Sequence, residues 1–406
     1  MDQKNNFVNF SRSEQFITQP ETLELQKQKT HLNIGVPKEI AFQETRIGLV
    51  PEAVATLVNN GHTVTIETNA GKSAHFLDHE YSEAGAQIVY SAGEVYQSDF
   101  IIKVAPPLPS EIEKIKNRTT LFSALNLPGQ TDEYFKRLML KKTTAISYEH
   151  IKDRTNSYPV IRSLSEIVGN TAIYIAAEYL CSSDYGKAKS LGGFSGIAPA
   201  KVIIIGAGTV GEFAARAALG MGAEVKIFDN SVYKLGNIQN SIHQRLFTSI
   251  IQQNVLSKAL QTADVVIGAL HSSNGVTPLV ISEDLVRQMQ PGSIIIDVSI
   301  VNGGCCESSH VTNHTHPVFK KHGVTHYCVP NISSKIPYTA SYALSNFFAP
   351  ALLKIAEEGS IDNYLKSDPG FRNGTYLYNG ILTNKYISDL FNISCQDIDL
   401  LMFPYH

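Results

Sequence analysis

The stretch KVIIIGAGTVGEFAARAALGMGAEVKIFD, Lys201 to Asp229, decides the fold. It opens on an apolar strand, turns through Gly206, Gly208 and Gly211, runs into an alanine-rich helix and leaves through a second strand ending on Asp229. A glycine triplet alone is weak evidence. With a strand before it, a helix after it and an acid about 20 residues on, it forms the dinucleotide-binding fingerprint. Gly206 permits the tight turn, Gly208 lets backbone approach a pyrophosphate, and Gly211 lets helix and sheet pack closely. Val210 lies in the first turn of that helix, whose free N–H groups and positive dipole end favour phosphate. Asp229 can accept hydrogen bonds from both ribose hydroxyls and would repel a 2′-phosphate, so NAD is expected over NADP. A glycine-rich turn in an unliganded α/β fold is the alternative.

Further strands follow in ADVVIGAL, GSIIIDVS and THYCVPN, giving one α/β unit. The loops after Leu270, Ser299 and Val329 (HSSNG, IVNGG and PN) lie at strand carboxyl ends, where doubly wound sheets bind ligands. They should line the nicotinamide end. Upstream, His31–Pro37 and Thr63–Thr68 read as strands and Pro51–Gly61 as a helix with proline at its start and glycine at its end. FIIKVA, TTLFSAL and TTAISYE continue a first, mostly parallel α/β unit. A long helix is predicted from about Ser163 to Cys181, then a flexible loop to Pro199. A last long helix over Ser341–Glu358 should return to the first unit and make it discontinuous. The expected architecture is α/β, two Rossmann-like domains with parallel sheets. Residues 1–160 and 339–406 form the substrate domain, with an N-terminal arm over 1–30 that is helical around Glu21–Lys29. Residues 161–338 form the NAD-binding domain.

The 406 residues are 43% hydrophobic and 17% charged, with a net charge of −3. That is a globular composition, with neither a nucleic-acid nor a polybasic membrane footprint. No apolar run reaches the roughly 20 residues needed to span a bilayer. The polar start MDQKNNFVNFSRSEQF is unlike a secretory signal. The five cysteines show no disulfide or zinc spacing, and the chain reads as cytoplasmic with reduced thiols. Cys305, Cys306, His310, His314 and His316 cluster, but fit no structural zinc pattern; no metal is expected.

At this point the chain resembles the alanine dehydrogenase and transhydrogenase dinucleotide-binding family. The resemblance is carried by IGVPKEIAFQETRIGLVPEAVATLVNNGHTVTIETNAG, IIKVAPPLPSEI, RSLSEIVGN, the Rossmann run, SIIIDVSIVNGGCCES, HYCVPNI and SYALSN. The VPN…SYALSN stretch is closer to alanine dehydrogenase than to a transhydrogenase subunit. The resemblance implies NAD in an interdomain cleft, oxidative deamination of L-alanine to pyruvate and ammonia, and a homo-oligomer, hexameric in many relatives. Residue by residue it implies that Arg46 holds the substrate carboxylate and Leu164 sits against the substrate. Ser165, Asp229, Lys234, Leu270, Val298 and Asn331 would lie near the cofactor, with Asn331 also near substrate. Independently, Arg46 in ETRIGLVP carries a guanidinium suited to a carboxylate. It could equally pair with Glu39 or Glu44.

The chain departs from the family where protons are handled. The family's lysine, histidine and aspartate positions fall on Ala105, Asn126 and Val301. Asn126 can donate a hydrogen bond to a carbonyl but cannot carry a proton, and losing a general acid–base costs roughly 10²- to 10⁴-fold in rate. Lys103, two residues before Ala105, would share its face on a continuing strand and is the candidate stand-in for substrate binding. Asn302, Glu39 and His75 are further polar candidates. Three functions fit: an alanine dehydrogenase-like enzyme, an NAD(H)-binding sensor or partner subunit with reduced catalysis, and transhydrogenase-like hydride exchange.

Overall fold

The structure, a computed structural model, describes residues 30–271 and 276–403. The expected N-terminal arm, with the helix expected around Glu21–Lys29, falls outside the described residues but for Thr30, as does most of HSSNG. Two sheets carry the chain. The first takes β1 (Asn33–Val36), β2 (Thr63–Glu67), β3 (Gln87–Val89), β4 (Phe100–Ile102), β5 (Thr120–Ser123) and β6 (Thr144–Ser147). The second takes β7 (Lys201–Ile205), β8 (Glu224–Phe228), β9 (Phe247–Ser249), β10 (Val265–Gly268), β11 (Ile294–Asp297), β12 (Val318–Lys321) and β13 (Val324–Tyr327). The chain then returns, and β14 (Thr375–Tyr378) and β15 (Ile381–Leu382) join the first sheet.

The orders are β15-β14-β6-β5-β4-β1-β2-β3 and β12-β13-β11-β10-β7-β8-β9. Each therefore contains six parallel strands in the doubly wound order, third-second-first-fourth-fifth-sixth. Antiparallel pairing is confined to one end of each sheet: β6 with β14 and β14 with β15 on the first, β12 with β13 on the second. The inner parallel strands β10 (VVIG) and β11 (IIID) are buried on both faces and read as continuous apolar runs.

The order reverses between β1 and β4 in the first sheet, and between β7 and β10 in the second. These two crevices position everything functional. The loop after β1 carries Glu39, Glu44 and Arg46; the loop after β4 carries Lys103 to Leu108. After β7 comes the glycine turn, and after β10 come Ala269 and Leu270.

Two helices join the domains. Pro159–Cys181 starts four residues before the sequence-predicted Ser163, and Pro337–Glu357 four before Ser341. In both, proline occupies the first helical position, where its missing N–H costs nothing and its φ is already helical. Val160 and Leu164 of the first helix pack in the N-terminal core, Ala172 to Leu180 in the nucleotide-domain core. The segment expected as a flexible loop is tied down. Lys187 and Lys189 reach Asp264 at 2.9 and 2.8 Å, and the Lys201 N–H donates to the same carboxylate.

Candidate active site

The nucleotide half is built from backbone. Gly206 has φ +116°, open to glycine at little cost, and a Cβ there would lie 2.3 Å from the Ala269 carbonyl. A Cβ on Gly211 would lie 1.9 Å from the Gly206 carbonyl, so only a glycine fits at this place in the first turn of the helix. Gly208 differs: its Cβ would meet no atom within 4 Å. The space in front of it is open at the N-terminus of the helix Thr209–Gly220, which is what a pyrophosphate needs. Asp229 is buried, and its carboxylate accepts the Ala207 N–H at 2.8 Å and the Ser231 N–H at 2.7 Å. That ties the glycine turn to the end of β8 and still leaves lone pairs on both oxygens. Gly208, Asp229, Lys234 and Leu270 line one pocket of about 220 Å³ with His271 and Val280. The geometry fits an adenosine ribose and its phosphates.

The substrate half faces a larger cavity, about 960 Å³, between the domains. Arg46, Ala105, Asn126, Leu164, Val301 and Asn331 all line it. The structure thus brings together the carboxylate-holding candidate and the three replaced positions. Ser165, Val210 and Val298 do not line either pocket; Val210 instead supports the close approach of its helix to Gly169, whose Cβ would lie 2.5 Å from the Val210 carbonyl.

Arg46 is buried, and Glu44 grips it from the side: Nε to Oε1 at 2.7 Å and one terminal nitrogen to Oε2 at 2.6 Å. The other terminal nitrogen donates to Ser333 at 3.0 Å. A guanidinium has five N–H donors; these three bonds leave two. Burial alone would raise the Glu44 carboxyl, but Arg46 outweighs it and holds the pKa below the ordinary range. The same carboxylate raises Arg46 further. Of the two ion-pair partners considered from the sequence, Glu44 is the one in contact.

Lys103 is placed differently from the sequence expectation. It is fully buried, does not line the cavity, and bonds Glu39 and Glu111 at 2.9 Å each. β4 ends at Ile102, so the two-residue period that would align Lys103 with Ala105 no longer applies. Burial would lower the ammonium's pKa, but the two carboxylates raise it. Glu39 also accepts the Val104 N–H at 2.6 Å, and Glu111 accepts the Tyr96 hydroxyl and the Leu108 N–H, both at 2.7 Å. The cluster braces the Pro106–Pro107 wall of the cavity from behind. Neither Glu39 nor Asn302 lines the cavity, and His75 is an exposed residue with φ +64°.

The Cys/His run contains no metal-type group: among the described residues, no three His, Cys, Asp or Glu side chains could hold an ion. Cys305 and Cys306 are buried beside Asp297, and His310 stacks on Phe319 with centroids 3.6 Å apart. His314 instead bridges the domains. Its backbone N–H donates to Gln43 at 2.6 Å and its ring bonds the Asn331 carbonyl at 3.2 Å.

Sequence reading passed over Ser333 and Glu149. Glu149 follows β6 by two residues and lines the cavity. Its Oε2 accepts the Leu125 N–H at 2.8 Å and the Asn126 N–H at 3.3 Å. A carboxylate just past a strand's carboxyl end was the signal available in TTAISYE.

Residues 35–168 match the family description Alanine dehydrogenase/PNT, N-terminal domain, and residues 172–385 match Alanine dehydrogenase/PNT, C-terminal domain. Alanine dehydrogenase 2 of Staphylococcus aureus (strain USA300) is 36% identical over 369 residues, 91% of this chain and 99% of that protein. Among solved structures, an L-alanine dehydrogenase superposes with a TM-score of 0.84 at 37% identity, covering 88% of this chain and 99% of the other. The transhydrogenase from Sinorhizobium meliloti gives 0.75 at 21% identity over 87% and 99%, a likeness of fold. With the glycine turn and Asp229 in place, NAD is the cofactor, and the chain belongs to the alanine dehydrogenase/PNT family of NAD-dependent oxidoreductases.

Proposed function

We propose that the protein interconverts L-alanine, or a related small amino acid, with its 2-oxo acid and ammonia, using NAD(H). The observation that carries this is the single cavity joining Arg46 to Val301 and Asn331 of the nucleotide domain. Gly208 and the helix behind it would hold the pyrophosphate, and Asp229 the ribose. When bound, the nicotinamide supplies the acceptor or donor of hydride. The two uncommitted N–H groups of Arg46 would hold the substrate carboxylate, with Glu44 and Ser333 fixing the plane of the guanidinium. Leu164, Val104 and Ala105 give the cavity an apolar wall that limits water, and Asn126 donates a hydrogen bond to the oxo group. As parts of the same reading, the domains divide at 1–160 with 339–406 and 161–338, the protein works in the cytoplasm, and it assembles as a homo-oligomer of the hexameric kind.

The test is NADH absorbance with alanine and NAD, and with pyruvate, ammonia and NADH, against Asp229→Ala. Turnover in the wild type alone supports the reading. Tight NADH binding without turnover across amino and oxo acids would replace it with a binding-only role, which the apolar Ala105 and Val301 in the cavity favour.

A further inference from the structure

Three carboxylates line the substrate cavity: Glu44, Glu133 and Glu149. Two are committed. Glu44 holds Arg46 at 2.6 Å, and Glu133 holds Arg137 at 2.5 Å. Glu149 forms no ion pair among the described residues, and only its Oε2 is used, by two backbone N–H groups. One of those belongs to Asn126, the position of the family's proton carrier. Asn126 itself has φ 43° and ψ 55°, a left-handed turn that asparagine tolerates well. The Glu149 carboxylate therefore lies 3.3 Å from the backbone of the residue that has lost the ability to carry a proton.

We propose that Glu149 is a catalytic residue that takes the substrate's proton, resting on the alanine dehydrogenase-like reading above. The substrate ammonium gives one proton to the free Oε1. The nitrogen lone pair so released forms the C=N bond as hydride leaves Cα for the oxidised nicotinamide. Water then hydrolyses the iminium to the 2-oxo acid and ammonium, with no net proton. Glu149 passes its proton to solvent, which accounts for the one proton the overall oxidation releases. The same carboxylate pairs with the ammonium on arrival while Arg46 takes the carboxylate, so the two ends of a zwitterion are held by opposite charges. The titratable and charged groups around it are Tyr148 and His150 on its own turn, Tyr376 on β14, and Tyr134 with the Glu133–Arg137 and Glu44–Arg46 pairs lining the cavity.

Glu149→Gln keeps an acceptor for the Leu125 and Asn126 N–H groups and removes the proton site. The experiment compares wild type, Glu149→Gln and Glu149→Gln/Asn126→His in alanine oxidation across pH, with NADH binding by fluorescence as a check on folding. The expected result is a kcat loss of roughly 100-fold or more in Glu149→Gln, disappearance of the wild type's acid limb, and NADH affinity unchanged within about twofold. The histidine should restore a proton carrier and recover at least tenfold of the loss, with a new limb at the imidazole's own pH; this splits a proton-transfer role from a structural one. A Glu149→Gln variant with wild-type kcat and pH profile overturns the proposal and leaves the dehydrogenase reading intact. So does a variant whose loss tracks lost NADH binding and is not recovered by histidine. A wild type that binds NADH but turns over no amino acid overturns both.

Discussion

The two crevices where strand order reverses are built to the same plan and filled in opposite ways. In the nucleotide domain the work is done by backbone: three glycines, a helix N-terminus and one acid that holds N–H groups. In the N-terminal domain the equivalent crevice holds charged side chains; by the family resemblance two proton-handling positions fall there, on Ala105 and Asn126, and a third falls on Val301 of the nucleotide domain, across the same cavity. A site made of backbone geometry tolerates little change, since a Cβ added at Gly206 or Gly211 collides with a carbonyl. A site made of side chains can be altered one residue at a time while the fold stands.

The comparison breaks most severely at Gly211. Gly211→Ala puts a Cβ 1.9 Å from a carbonyl oxygen, and the expected outcome is loss of soluble folded protein or a fall of about 3 kcal/mol or more in denaturant unfolding. Next is Lys103→Met. It leaves Glu39 and Glu111 buried without their cation, which should cost about 3–5 kcal/mol in urea unfolding. If Lys103 held substrate, the variant would instead raise KM at unchanged stability. Gly208→Ala sharpens the contrast: no described atom lies within 4 Å of its Cβ, so the thermal midpoint should stay within about 1 °C, while NADH affinity by fluorescence titration falls roughly tenfold, about 1.4 kcal/mol.

The smallest effect is expected at Glu44. Its folded pKa is lowered, so its contribution is complete above the unfolded carboxyl pKa and is lost as pH falls through the folded one. Glu44→Gln should therefore be less stable than wild type at neutral pH, by on the order of 1 kcal/mol. The gap should close on acidification below the ordinary carboxyl range. Thermal midpoints at several pH values would check this, and a gap that widened in acid would refute the pairing.

Both sheets could be read from apolar runs and turn residues, and the nucleotide site from glycine spacing, because those signals are local. The cavity's lining was half legible. Arg46, Leu164 and Asn331 could be placed by motif. Lys103 could not, because its fate depends on Glu111, eight residues on in a separate helical turn, and on where β4 stops. Glu149 stood in plain view but acquires meaning only when β5 and β6 lie side by side and bring it to Asn126. The helix starts at Pro159 and Pro337 were available from proline's preference for the first turn.

The chain crosses between the domains twice, once through Pro159–Cys181 and once just before Pro337–Glu357. Two crossings define a line. A body joined to another along a line behaves as a door, not a ball joint, and has one easy rotation. Asn331, Ser333 and Ser334 sit beside the second crossing, and from there they bond Gln43, Arg46 and Glu44. Arg46, proposed to hold the substrate carboxylate, is thus mounted beside the second crossing, where a rotation about that line would displace it least, while Val311 and Asn313 line the same cavity from the nucleotide domain.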